Sequence, residues 1–261
     1  MRHQHFHGRF SIIDMTYDDM KLNDRQILDV LARRGQGRGL KIYAETCPQY
    51  LFLSGDDLDQ PDHHGMKCIC SPPPRGKENQ KVIWSGLVNG VFQVFSSDHA
   101  PFRFDDPKGK KLHGEAPSFS ETPNGIPGLE TRMPLLFSEG VLTGKISLQQ
   151  FVALTATNPA KMYGLYPRKG TIAIGADADL AIWNFRRQVT IRNEDLHHNV
   201  DYTPYEGMEV TGWPECTLVR GVVVQENGVI KAEKGHGQFL RCDLPVDFGV
   251  RRAPTFLDDA G

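Results

Sequence analysis

Asp98 is the residue of this sequence best placed to carry chemistry. It follows the apolar run Val91–Phe95 and stands between Ser97 and His99. A carboxylate at the end of a buried strand is well placed to act as a hard oxygen ligand for a metal ion or as a general base. Aspartate near a turn commonly bonds the backbone instead, so a loop or helix cap is the alternative interpretation of Asp98.

Ser71 and Asn124 are weaker candidates for ligand binding. Ser71 precedes three consecutive prolines, and Asn124 begins an Asn-Gly turn after Pro123. Such turns can expose backbone N–H and C=O groups to a ligand. The sequence contains no nucleophile elbow, P-loop or dinucleotide-binding glycine motif, so serine hydrolase, nucleotide hydrolase and dinucleotide-binding functions have no motif to support them.

The histidines form pairs that could suggest a metal site. His3 and His5 have the spacing of a metal-binding pair, and imidazole is the commonest zinc ligand. A catalytic pair must be presented by a strand fixed in the core, whereas only two residues precede His3. We therefore expect residues 1–21 to be a loosely ordered leader with adventitious metal affinity. The adjacent pairs His63–His64 and His197–His198 have diverging side chains and are interpreted as surface residues.

The five cysteines favour a reducing compartment. Cys68 and Cys70 are separated by one residue, which differs from the two-residue gap of common zinc knuckles, and no second pair follows. We interpret both as buried structural thiols rather than zinc ligands. The odd number of cysteines and the lack of a signal-like apolar start predict a cytoplasmic protein.

The composition is that of an ordinary globular protein, and its charge suits a small neutral ligand better than a nucleic acid or a membrane surface. The 261 residues are 39% hydrophobic and 24% charged, with a formal net charge of -2. There is no basic excess to attract nucleic acid or an anionic membrane surface. No apolar run reaches the roughly 18 residues that a membrane-spanning helix needs.

The elements that must position Asp98 alternate between helix and strand. A helical stripe starts near Asn23 and ends at the glycines 35–39, and a short strand over 40–44 runs into Glu45. A helix is predicted over 77–89, followed by the strand over 91–95. This order predicts a parallel sheet, with Glu45 and Asp98 just beyond the carboxyl ends of two strands, where sites are built.

The second half of the chain changes to β structure. Ser147 should cap a helix, and Pro159–Tyr163 should form another. From about Leu165 the chain becomes β-rich, and Asn227-Gly228 lies between two apolar runs, which strongly indicates a hairpin.

Seven segments in this order resemble the dihydropyrimidinase and D-hydantoinase family. Together they span about residues 38–240, which makes the resemblance highly specific. Gln49 stands where allantoinases usually have histidine, which favours the dihydropyrimidinase branch. The segments are Tyr43–Tyr50 (YAETCPQY), Cys70–Pro73 (CSPP), Ser97–Phe102 (SDHAPF), Pro123–Gly128 (PNGIPG), Thr157–Lys161 (TNPAK), Leu165–Leu180 and Tyr205–Met208 (YEGM).

The resemblance implies an α/β fold built on an amidohydrolase TIM barrel and a composite β-sandwich. It also implies a homotetramer, two zinc ions and a small cyclic amide substrate, either a dihydropyrimidine or a 5-substituted hydantoin. Asp98 matches the aspartate that ligates one metal and shuttles a proton. Ser71 and Asn124 match residues that bind the cyclic amide, largely through backbone groups. In this family a metal-activated water attacks the ring carbonyl, and the aspartate passes its proton to the departing nitrogen.

The chain also departs from the family. The family's histidine pair on a strand, its carbamylated lysine and two further histidine ligands all precede the segment matching Tyr43–Tyr50, and no counterparts are found here. We expect a leader and helix over 1–37, the last strands of the barrel over 38–164, part of the sandwich over 165–241 and a tail over 242–261.

These departures predict a truncated hydrolase that is inactive alone. One alternative is that a partner chain supplies the missing strands. Another is a non-catalytic scaffold, as in the related collapsin response mediator proteins, which look different at the aspartate that Asp98 matches.

Overall fold

Two sheets of four strands each organise the chain in a computed structural model that describes residues 3–6, 10–14, 32, 34–38 and 42–246. The sheets belong to two separate units. The first unit contains the described residues up to Arg132 together with Leu196–Glu206, and the second contains Met133–Asp195 and the described residues from Gly207 onward. Helices accompany the strands, so the fold class is α/β.

The sheet of the first unit has the order β1-β2-β3-β4. Strand β1 pairs antiparallel with β2, whereas β2, β3 and β4 are parallel neighbours, as predicted for the two strands that precede the candidate site. The strands are β1 (His3–Phe6), β2 (Phe10–Asp14), β3 (Ile42–Thr46) and β4 (Val94–Phe95).

The expectation of a loosely ordered leader over residues 1–21 is wrong for β1 and β2. The segment Phe10–Asp14 is rich in β-forming residues, and it pairs over four residues with β3. The segment His3–Phe6 needs no preceding chain, because β2 provides its antiparallel partner. Backbone pairing with a distant segment therefore decides that these residues form strands, despite their polar composition. The helix predicted from Asn23 lies outside the described residues except for its end.

The predicted strand over 91–95 is reduced to two residues by glutamine side chains. Gln93 Oε1 accepts a hydrogen bond from the Ala44 backbone N–H at 2.9 Å. Gln36, which is buried, donates from Nε2 to Gln93 Oε1 at 3.2 Å and to Val91 O at 3.1 Å. Side-chain amides therefore replace part of the backbone ladder between β3 and β4.

Among the described residues of the first unit, the helices are short apart from one. The helix predicted over 77–89 is confirmed with nearly the expected bounds, and turns of 3-10 helix lie at His64–Cys68 and Phe119–Glu121. The α-helices are α1 (Arg34–Gly37), α2 (Gln49–Phe52), α3 (Gly55–Leu58) and α4 (Glu78–Val88).

The second unit combines two interrupted helices with an antiparallel sheet. Ser147 caps its helix as predicted, because its side chain accepts from the Gln150 N–H. The first helix, α5 (Arg132–Leu136), begins at the last residue of the first unit and continues as π-helix Phe137–Leu142. The second helix, α6 (Leu148–Val152), continues as π-helix Ala153–Thr157 and then as α7 (Asn158–Met162).

The sheet of the second unit is a meander with the order β5-β6-β7-β8. The predicted hairpin is confirmed: Asn227 and Gly228 have φ angles of 50° and 82°, as a two-residue turn of type I′ requires. No helix in the described part of the chain is long and apolar enough to cross a membrane. The strands are β5 (Leu180–Thr190), β6 (Glu209–Val219), β7 (Val222–Glu226) and β8 (Val229–Ile230), with a 3-10 turn at Asn193–Asp195.

An aromatic cluster forms the core of the second unit. The ring of Phe137 stacks on Trp183 with ring centroids 4.9 Å apart, and it meets Phe151 edge to face at 5.5 Å. Gly212 leaves the room for this ring, since a Cβ there would lie 2.5 Å from the Phe137 side chain.

Candidate functional site

The carboxyl ends of β3 and β4 bring two loops side by side. Thr46 stands opposite Phe95 in the parallel ladder, and the Ser96 N–H donates to Thr46 O at 3.0 Å. Beyond the strands, Cys47 Sγ and Ser96 Oγ lie 3.0 Å apart. The residues that follow β3 therefore reach those that follow β4.

Asp98 lies at the exposed edge of this junction. Its φ angle is 45°, a left-handed conformation that is uncommon outside glycine. Gln49 Nε2 donates to Asp98 Oδ2 at 3.3 Å, so within the described residues the carboxylate is oriented by a side chain rather than by capping a turn. Although Asp98 is exposed as a residue, the protein around its carboxyl desolvates the charged form and raises its pKa.

Gln49 is the partner that the sequence did not reveal. It is completely buried in α2, and its Oε1 has no hydrogen-bond partner in the described part of the chain. The family resemblance singles out Gln49 as the position where allantoinases usually have histidine, but the contact of Gln49 with Asp98 depends on the register of β3 and β4.

His99 connects the loop of Asp98 to the segment after Asn124 by hydrogen bonds. Its Nδ1 accepts from the backbone N–H groups of Gly128 at 3.1 Å and Leu129 at 3.3 Å, so the ring carries its proton on Nε2. Burial lowers the pKa of His99, which favours this neutral acceptor. The Ala100 N–H also donates to Ile126 O at 3.2 Å.

Ser71 and Asn124 are both exposed, and their loops are directly connected. The Gly125 N–H donates to Ile69 O at 3.0 Å. Lys110 Nζ donates to the same Ile69 O at 3.0 Å and to the carbonyl that precedes Asn124 at 2.7 Å. The loops that carry the three predicted site residues are therefore hydrogen-bonded to one another, with Lys110 as a connection that sequence reasoning missed. In the sequence this residue stands in a Lys-Gly-Lys-Lys run, which is typical of an exposed loop.

Glu45 does not lie beyond its strand as predicted. It is half-buried inside β3, because the strand continues to Thr46. The apolar run that marked the strand ends at Ala44, whereas the pairing with β4 extends over Glu45 and Thr46. Of the two acidic residues predicted at strand ends, Asp98 is the one that follows its strand.

The cysteine pair is structural, as predicted. Cys68 and Cys70 are buried free thiols, and burial raises the pKa of each to about 12. Cys70 Sγ donates to Pro72 O at 3.3 Å. Both thiols are therefore protonated at neutral pH in this structure.

Three of the four adjacent histidines are exposed as predicted, whereas His198 is half-buried, and burial lowers its pKa. His63 and His64 are exposed, as expected. His197, also exposed, lies with Nδ1 2.9 Å from Glu130 Oε1, and its backbone N–H donates to Oε2 of the same carboxylate at 2.7 Å. This Glu130 contact orients the His197 ring.

The described residues do not fit a resident metal pair. Among them no group of three histidine, cysteine, aspartate or glutamate side chains could bind a metal ion. The hydrogen-bond partner of the Asp98 carboxylate is an amide, and a catalytic zinc takes about three protein ligands. The His3–Phe6 strand is three strands away from β4 in the sheet, about 14 Å at the usual strand spacing. Asp98 is therefore a single potential ligand.

The chain is similar in sequence to proteins of one known family. The model of the amidohydrolase family matches residues 25–224. A D-hydantoinase of Rhizobium radiobacter is 42% identical over 208 residues, which are 80% of this chain and 44% of the relative. A D-hydantoinase of Geobacillus stearothermophilus is 45% identical over 206 residues, 79% of this chain and 43% of the relative.

Solved structures show the same similarity. A crystal structure of dihydropyrimidinase from Brevibacillus agri matches with a TM-score of 0.81 and 41% identity, and the match covers 91% of this chain and 49% of that one. The chain thus spans about half the length of the relatives that it matches.

Proposed function

This chain belongs to the amidohydrolase family, in its hydantoinase and dihydropyrimidinase branch, and we propose that it is part of an enzyme that hydrolyses a cyclic amide. The proposed substrates are dihydropyrimidines and 5-substituted hydantoins. The relatives' names point to this class of ring, since they are D-hydantoinases and a dihydropyrimidinase.

The observation that carries this proposal is the connection between the three candidate loops. Ser71, Asp98 and Asn124 are all exposed, so each is accessible to a ligand. Their loops are joined through the hydrogen bond from Gly125 to Ile69 and the hydrogen bond from Ala100 to Ile126. We propose that backbone groups at Ser71 and Asn124 bind the cyclic amide, while Asp98 accepts a proton and passes it to the departing nitrogen.

Members of the amidohydrolase family are generally metal-dependent. We propose that the intact enzyme uses two zinc ions and that Asp98 is the one ligand that the described residues provide. Further ligands then have to come from outside these residues, because no other suitable cluster occurs among them. This chain alone is accordingly proposed to be inactive.

The domain organisation follows the same proposal. We propose that residues 38–164 are the last part of a TIM barrel, that residues 165–241 are part of a β-sandwich, and that the intact enzyme is a homo-oligomer. The boundary near Leu165 and the tail from Cys242 remain predictions. The five free cysteines support a reducing, cytoplasmic location.

A complementation assay tests the function. The purified chain is mixed, in zinc-containing buffer, with the part of the Geobacillus stearothermophilus D-hydantoinase that it does not match. We expect hydrolysis of dihydrouracil or 5-phenylhydantoin by the mixture and none by the chain alone. Asp98→Asn should lower kcat/KM of the mixture by about 100-fold or more, since general acid–base groups contribute at least this much.

The control for Asp98→Asn is Asp59→Asn. Asp59 is an exposed aspartate that follows α3, so its substitution should leave turnover unchanged. The complete relative provides the positive control. If the complete relative hydrolyses the substrates and the mixture hydrolyses neither, the proposed function is wrong. An inactive mixture that also binds no zinc would favour a scaffold.

A further inference from the structure

Lys110 joins the loops that carry Ser71 and Asn124 through a buried ammonium group. The residue has 0% of its surface exposed. Its Nζ donates to Ile69 O at 3.0 Å and to Pro123 O at 2.7 Å. Ile69 lies two residues before Ser71, and Pro123 directly precedes Asn124, so one side chain spans both loops.

Carbonyl dipoles rather than an anion offset the buried charge of Lys110. The titratable groups that influence it are the thiols Cys70 and Cys68, both neutral near pH 7, with no carboxylate among them in the described residues. Burial alone lowers the pKa of Lys110 to about 8. Hydrogen bonds from a charged donor are roughly twice as strong as neutral ones. The Lys110 ammonium group therefore binds both carbonyl oxygens strongly and fixes their separation.

The backbone that presents Lys110 is itself fixed. The Lys110 N–H donates to Arg103 O at 2.8 Å, and the Gly109 N–H donates to Asp106 O at 2.8 Å. A Cβ at Gly109 would lie 2.1 Å from Arg103 O, which shows how closely the two segments approach. Lys110 therefore extends from a tight turn. Ile69 O accepts hydrogen bonds both from the Lys110 ammonium group and from the Gly125 N–H.

We propose that Lys110 is a positioning residue that sets the separation of the substrate-binding backbone groups near Ser71 and Asn124. This inference rests on the proposed function, which assigns those groups to the cyclic amide. Lys110 is buried behind the loops and bonds carbonyls of the protein. Its loss should therefore weaken substrate binding more than the chemical step.

Three variants test this role. Lys110→Met removes charge and donors at similar length, Lys110→Gln keeps two N–H donors without charge, and Lys108→Met changes an exposed lysine of the same loop as a control. In the full chain, hydrogen exchange of the Gly125 amide should be about tenfold faster in Lys110→Met, intermediate in Lys110→Gln and unchanged in Lys108→Met.

Kinetics of the complemented mixture provide the second readout. For dihydrouracil and 5-phenylhydantoin, Lys110→Met should raise KM about tenfold, because the substrate-binding backbone groups lose the two hydrogen bonds that set their separation, while kcat changes much less. Lys110→Gln should restore part of the loss, and Lys108→Met should match the unsubstituted chain.

The two readouts separate the inference from the proposed function. If the mixture is active and Lys110→Met leaves KM and Gly125 exchange unchanged, Lys110 is not a positioning residue. If the mixture of unsubstituted proteins is inactive while Gly125 exchange still rises in Lys110→Met, the loop connection is supported and the proposed function fails. If circular dichroism shows that Lys110→Met does not fold, the same criteria apply to Lys110→Gln.

Discussion

A single residue, Lys110, places a cation in the interior of the first unit. The buried charge lowers the free energy of unfolding by an amount that depends on pH. The pKa of Lys110 falls from 10.5 to about 8 on folding because burial disfavours the charged form. Between these two values the unfolded chain retains a proton that the folded chain has lost. Raising the pH through this window therefore favours the folded state.

We predict that the free energy of unfolding of the chain rises, relative to that of Lys110→Met, by about 3 kcal/mol between pH 8 and pH 10.5. Other lysines and tyrosines titrate in both proteins, so the difference reports the titration of Lys110 together with its coupling to Cys68 and Cys70. Urea denaturation at several pH values measures it. A difference that stays constant or declines with pH would contradict the burial of a charged Lys110.

At the scale of elements, the turn of Asn124 depends on a glycine. Gly125 has a φ angle of 134°, and a Cβ there would lie 2.2 Å from the backbone Ala100 O. The turn must approach the segment after Asp98 this closely for Ala100 to pair with Ile126. Only a residue without a side chain satisfies both conditions.

Gly125→Ala should therefore lower the free energy of unfolding by at least about 2 kcal/mol, because it adds a backbone clash to the strain of a positive φ angle. Gly114→Ala is the matched control: Gly114 has a φ angle of 108° but nothing within 4 Å of the added Cβ. Thermal and urea denaturation of both variants measure the contribution of the clash. Equal destabilisation would show that φ strain alone accounts for the loss.

Elements with a local signal could be predicted from the sequence. The helix α4, the Ser147 cap and the Asn227-Gly228 hairpin follow from spacing, capping and turn chemistry within a few residues. Strand β2 could not be recognised, because its stability comes from pairing with β3 about thirty residues away. The shortening of β4 depends on the Gln93 side chain, which no periodicity reveals.

For the candidate site too, the sequence predicted residues with a local signal but not the contacts between distant segments. Asp98 was predicted because an apolar run ends in a carboxylate, and Ser71 and Asn124 because their motifs resemble those of a known family; all three assignments stay predictions. Gln49 and Lys110 were missed as partners, since their roles arise only when separate loops meet. A candidate catalytic residue can be recognised from its residue type and its place in the sequence. A residue that positions it can be recognised only from the folded structure.

At the scale of the whole molecule, the sheet of the second unit leaves an apolar strand at its edge. Strand β5 is 11 residues long and, among the described strands, pairs only with β6. Ile182 on this strand is 53% exposed. Long edge strands with exposed apolar residues tend to acquire a partner, and the chain spans about half the length of its relatives.

We predict that the complementing part of the relative binds along β5, so that the mixture elutes as one species in size-exclusion chromatography. Ile182→Lys should weaken this association by roughly tenfold or more, because a charge would be buried in an apolar contact. Ile174→Lys places the same charge at a fully exposed position outside the strands and should have no effect. Association that is equally strong in both variants would show that the complementing segment binds elsewhere, and separate elution of the unsubstituted proteins would show that β5 needs no such partner.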